Sequence, residues 1–260
     1  MLILKKLTFA PLFLIAFTLL LSFLGPIFKS TDLIFSMSLD TLVQLLSVSI
    51  LVTLSGLFFV LFASFCLDWK LILPVGFLAA ILPIVFLEQT IAIISAAAVL
   101  VILLISFLSL EGTLKNYLNF QPNALFGPSI RHLSSLLILV IAVSYFLAIS
   151  KVTVQNGFQI PDSLIDTALK LIPQSQGAPQ DLTNDLLKQT IKDQFQILIK
   201  PYAGFIPAIL ALLLFFTLQS LTSLINLFIH PLLWLIFYIL EKTGYIKFTT
   251  EMRPVKKMVI

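Results

Sequence analysis

The chain has 260 residues, 59% of them apolar and 11% charged, with a net charge of +4. Soluble globular domains run at about 45–50% apolar and about 25% charged, so too few polar groups are present here to cover a water-facing surface. A mean hydropathy of +1.09 agrees, and lipid is the expected solvent for much of the chain.

The basic balance does not point to nucleic acid, because the Lys and Arg residues stand beside apolar runs, where membrane proteins use them. The single cysteine, Cys66, lies deep in an apolar run. It cannot form an internal disulfide and is expected to be a small packing residue. The 24 Phe residues suit a lipid-facing surface.

The first apolar run, 7–28, follows Lys5 and Lys6. It is longer than the h-region of a signal peptide, about 7–15 residues, and no A-x-A site follows it. It is expected to be an uncleaved first span. A second span is expected over 41–67, capped by Asp40 or Thr41.

Residues 71–110 carry one charge, Glu88. As a single helix this run would be about 60 Å long, twice the hydrocarbon thickness of about 30 Å. It must fold back, with Glu88, Gln89 and Thr90 as the turn. That gives spans at 71–87 and 90–110. The first of these, with Pro74, Gly76 and Pro83, is expected to be kinked or re-entrant. Ala96, Ala97 and Ala98 in the other are close-packing residues.

Residues 111–132 are expected to form an interfacial loop, followed by a fifth span at 133–150. Residues 151–200 read as an extracytoplasmic amphipathic helical hairpin, with helices near 162–172 and 181–199 separated by a breaking stretch from Pro173 to Pro179. Its apolar faces are expected to lie on the span tops or meet a partner. The sixth span is expected over 202–227. Residues 229–240, interrupted by Pro231, form either a bent continuation or an interfacial helix, since about 12 residues cannot cross a bilayer. A basic tail, 241–260, has strand-like residues from Tyr245 and a patch at Arg253, Lys256 and Lys257 suited to anionic lipid or a partner.

The fold class is therefore an all-α integral membrane protein of about six transmembrane helices in one membrane domain. Placing the N-terminus in the cytoplasm puts ten Lys/Arg inside and six outside. Four of those six, Lys170, Lys188, Lys192 and Lys200, lie inside or at the end of the hairpin segment, among five Asp. The charges next to the spans are strongly positive on the inner side, and both termini are expected in the cytoplasm of a plasma-membrane protein. Trp69, Trp234 and Tyr238 fall at the inner interface, as an aromatic belt would have them.

Chemistry inside a bilayer needs polar groups there, and these are costly. No span carries a central Asp, Glu, Lys or Arg, which argues against a proton- or ion-coupled pump. Gln219, Ser223, Asn226 and His230 are spaced 4, 3 and 4 apart, so they share one helix face, with Thr222 nearby. The stripe serves either hydrogen bonding between helices or a water-accessible vestibule with His230 at its mouth. Ser49, Thr53, Gly56 and Ala63, with Ser55 beside them, form a small-residue packing face.

No G-x-S-x-G, H-E-x-x-H, P-loop or G-x-G-x-x-G motif occurs. Two His and one Cys make a metal site of the usual ligand count implausible. No cofactor, catalytic group or nucleic-acid partner is expected. The expected role is a non-enzymatic structural or accessory subunit of a membrane assembly. Its partners would be lipid and either a second copy or other membrane subunits, met through 151–200 or the basic tail. The alternative is a channel or carrier for a small or neutral solute using the Gln219–His230 stripe.

Overall fold

The computed structural model describes residues 6–29, 38–117, 120–156 and 200–246, together with Ile165, Gln189, Gln194 and Ile197. Those residues are helical or lie in turns, with no strand among them. They form six long helices: α1 (Phe9–Lys29), α2 (Leu39–Cys66), α3 (Trp69–Phe86), α4 (Gln89–Asn116), α5 (Pro122–Asn156) and α6 (Ile206–Lys242). All six are long and apolar enough to cross a membrane.

Local chemistry sets the turns. The α2 cap is Ser38, not Asp40 or Thr41. Its backbone is extended, at φ −88 and ψ 155, and its hydroxyl accepts from the Thr41 N–H at 3.1 Å. Asp40 instead sits in the first turn, where its negative charge meets the positive end of the helix dipole.

At the other end Leu67 takes a left-handed conformation, φ 40 and ψ 23, at a cost of roughly 1–2 kcal/mol for a residue with a Cβ. Asp68 follows at once and caps α3 by accepting from the Lys70 N–H at 3.0 Å. The chain thus reverses over two residues.

The apolar run of residues 71–110 folds back between Phe86 and Gln89. The Leu87 N–H closes α3 on the Pro83 carbonyl at 2.9 Å, and the Glu88 carbonyl opens α4 by accepting from Ala92 at 2.8 Å. Pro74 and Pro83 lie within α3, which is one helix end to end rather than a re-entrant segment.

Three helices run further than apolarity alone suggests. α4 continues to Asn116 and α5 has 35 residues beginning at Pro122, so residues 111–116 and 122–132 of the expected loop are helix. Proline is well placed at a helix start, where its missing N–H has no partner to lose. α6 has 37 residues and passes through Pro231 without a break. Residues 229–240 therefore continue the last helix.

α6 ends in a left-handed Gly244 at φ 68. The Tyr245 N–H then bonds back to the Leu240 carbonyl at 3.0 Å, the six-to-one closure of a glycine-terminated helix. Tyr245 is therefore part of a helix cap rather than the start of an extended tail. The first six residues of the expected 151–200 hairpin instead continue α5 to Asn156, and Lys200 opens a short 3-10 turn. The rest of that segment, apart from the four single residues named above, lies outside the described residues, as do residues 247–260 with the basic patch.

α2 and α5 occupy the middle of the bundle. α2 packs on α1, α5 and α6, and α5 packs on α2, α4 and α6, while α3 pairs with α4. The largest buried side chains include Phe13, Phe17, Phe59, Phe62, Phe107, Phe126 and Tyr145. Much of the phenylalanine therefore fills the core instead of facing lipid. Helices in lipid associate through close van der Waals contact, and offset rings provide it over a large area.

The helices alternate in direction, so the starts of α1, α3 and α5 share one end of the bundle with the ends of α2, α4 and α6. Rings cluster at this end. Phe126 stacks on Phe237 at 5.2 Å and 1°, and Phe120 meets Phe237 edge-on at 5.2 Å. Phe65 contacts Phe9, Phe237 and Tyr245. The Thr8 and Tyr245 hydroxyls lie 2.8 Å apart, joining the first and last described segments.

Candidate functional site

α6 carries the polar stripe along its middle and packs against α5 and α2. It is the least covered of the six helices, with 28% of its apolar stretch buried against 61% in α2. Its outward face is mostly large and apolar, including Phe216, Leu224, Leu227 and Phe228. Trp234 stacks on Tyr238 at 5.4 Å, and the Lys242 ammonium lies 5.8 Å from the Tyr238 ring centre.

The four stripe residues fall into two pairs. Gln219 and Asn226 are half-buried, whereas Ser223 and His230 are exposed. Gln219 Nε2 donates to Ser135 Oγ on α5 at 2.9 Å. Lower down, His230 passes close to Gly127 on α5, where an added Cβ would come within 3.8 Å of its ring.

α5 and α6 carry more buried polar atoms than hydrogen bonds between them. Gln219 Oε1, Thr222 Oγ1, Asn226 Oδ1 and, at the start of α5, Asn123 Oδ1 are buried with no hydrogen-bond partner among the described residues. Ser134 Oγ is unpaired too. A buried acceptor left without a donor costs on the order of 1–3 kcal/mol.

Ser134 belongs to a second feature. Ser49, Thr53, Gly56 and Ala63 on α2 are all fully buried, as is Ser55. A Cβ at Gly56 would lie 2.9 Å from Ser134 Oγ and 3.4 Å from the Ile130 carbonyl. The α2 and α5 helices therefore pack closely here, and a side chain at position 56 would require Ser134 to move. Thr53 satisfies its own hydroxyl by donating to the Ser49 carbonyl one turn earlier, at 2.9 Å. Between α4 and α5, Ser95 and Ser144 share a hydrogen bond of 2.7 Å.

Helical spacing locates the stripe but not what meets it. Ser135, the polar partner on α5, lies beside Ser134, which faces Gly56 on α2, near the start of the expected fifth span. That doublet, inside an apolar run, was the available signal. No three His, Cys, Asp or Glu side chains gather into a metal-binding group among the described residues. The chain matches no family model, no curated protein and no solved structure.

Proposed function

We propose that the protein is a non-enzymatic structural or accessory subunit of a membrane assembly, and that α6 is its contact helix. The observation that carries this is the exposure of Ser223 and His230 on the least covered helix. Polar side chains facing hydrocarbon are costly, and a neighbouring transmembrane helix removes that cost through close packing and hydrogen bonds. The occupant is a second copy or another membrane subunit. The positive-inside distribution of Lys and Arg favours a plasma-membrane protein with both termini in the cytoplasm.

Cysteine cross-linking in native membranes tests the reading. In a Cys66→Ala background, Ser223→Cys is expected to form a linked adduct, and Phe228→Cys, turned away on the same helix, is not. A mass of twice the chain identifies a second copy, and any other mass a different subunit. If both positions give only monomer, the subunit reading fails. Labelling of cysteines placed in 151–200 from the cytoplasmic side alone would reverse the orientation.

The unpaired acceptors Gln219 Oε1, Asn226 Oδ1 and Asn123 Oδ1 favour a second reading, a channel or carrier hydrated along the α5–α6 seam. In that case the pair Gln219→Leu and Asn226→Leu abolishes flux of a small neutral solute into vesicles holding the purified protein. Unchanged flux rejects it.

A further inference from the structure

At the bundle end opposite the aromatic cluster, the α3–α4 turn sits between the closing turns of α1 and α5. Lys151 Nζ lies 2.7 Å from Glu88 Oε2 there, with the two side chains 49% and 59% exposed. An ion pair this open to solvent adds little to stability. It does mark a place where a positive and a negative charge are held side by side.

The pair borders a groove of about 450 Å³, within the range of small-ligand sites, about 300–1,000 Å³. The groove is divided chemically. Glu88, Lys151 and Gln155 supply its polar rim, and Phe28, Leu87 and Ile91 supply apolar wall. Phe28 and Leu87 also line a small, almost wholly apolar cavity of about 20 Å³ deeper in the bundle, so the two voids share a wall. Residue 25 helps to keep the groove open. It is glycine, and a Cβ there would meet nothing within 4 Å.

We propose that this groove binds one bilayer phospholipid with a zwitterionic headgroup bearing a primary ammonium. The ammonium faces the Glu88 carboxylate, the phosphate faces the Lys151 ammonium, and the start of an acyl chain lies against Phe28, Leu87 and Ile91. Charge complementarity selects this occupant. An anionic lipid would suit Lys151 but set a second negative group against Glu88, whereas a zwitterion offers each residue its opposite. The site uses none of the α6 surface and stands apart from the subunit reading.

The test uses the full chain in detergent, loaded with an equimolar mixture of phosphatidylethanolamine and phosphatidylglycerol with matched acyl chains. Lipid retained after washing is measured by mass spectrometry. The unaltered protein is expected to favour phosphatidylethanolamine by on the order of fivefold. Gly25→Trp fills the groove without touching the charges, and Glu88→Gln with Lys151→Gln removes the charges without filling it. Both bring the ratio down to that of the mixture, while Gly25→Ala, too small to fill the groove, keeps the preference. Thermal midpoints show which variants are folded. Retention at the mixture ratio by the unaltered protein overturns the site, as does a preference that survives in either folded test variant.

Discussion

α2 and α6 carry the same kind of residues and use them differently. Each has a stripe of small or neutral polar side chains at helical spacing. On α2 the stripe is fully buried and brings two helices together, with Gly56 against Ser134 and Ile130. On α6 only half of it turns inward, through Gln219 and Asn226, and the rest faces out. The difference lies in position within the bundle. A central helix has neighbours on every side, so small residues become packing. A helix at the edge has neighbours on one side, so the same polarity is left for something outside the chain.

Substitutions can break this contrast. The largest effect is expected at Gly56→Leu, which forces side-chain atoms into the space held by Ser134 Oγ and the Ile130 carbonyl. Overpacking of this kind costs about 1–3 kcal/mol, to be read as a lower unfolding midpoint in detergent. A midpoint equal to that of the unaltered protein would mean that α2 and α5 do not meet there.

A smaller loss is expected from Gln219→Leu, which removes the hydrogen bond to Ser135. Interhelical bonds of this type average about 0.6 kcal/mol in membranes, and the same change also removes an unpaired buried carbonyl. A Ser135→Ala partner in a double-mutant cycle isolates the bond itself. The smallest effect on stability belongs to Ser223→Leu, within about 0.5 kcal/mol as for other surface changes. That variant is nevertheless expected to lose the higher-mass species that marks association in native membranes. Equal loss of association and stability would place Ser223 inside the fold instead of on a contact face.

The contrast also separates what the sequence makes legible from what it does not. Apolar length and a single acid, Glu88, are enough to place the fold-back, because an uninterrupted helix of that length does not fit a bilayer. The end of α6 is harder to read. Pro231 removes one backbone donor and so resembles a stop, yet helices in apolar surroundings tolerate proline where the freed carbonyl finds other contacts. The ending is written instead in Gly244, whose left-handed turn carries Tyr245 back over the helix. The α2 cap was missed by two residues because Ser38, Asp40 and Thr41 are all good capping residues, and backbone conformation decides among them.

For the candidate site, periodicity put four residues on one face. It does not encode which helix that face meets. That depends on the register of α5 against α6, fixed by contacts such as Phe126 on Phe237 and His230 beside Gly127. Phenylalanine divides between the core, as at Phe13 and Phe59, and the outer surface, as at Phe216 and Phe228, for a related reason. Composition counts rings without saying whether another ring lies opposite.

The contact between Thr8 and Tyr245 spans 237 positions in the chain. Closing a loop that long carries a larger entropic cost than closing any contact between neighbouring helices, and here it requires both partners to have reached the same end of the bundle. α1 can pair with α2 as soon as the two have entered the membrane. The Thr8 hydroxyl, though, meets its partner only after α6 has crossed and its glycine cap has formed. During synthesis this contact reports that α6 is in place: a chain stalled before α6, or with that helix left outside, lacks both the tie and the Tyr245 ring that packs edge-on with Phe65.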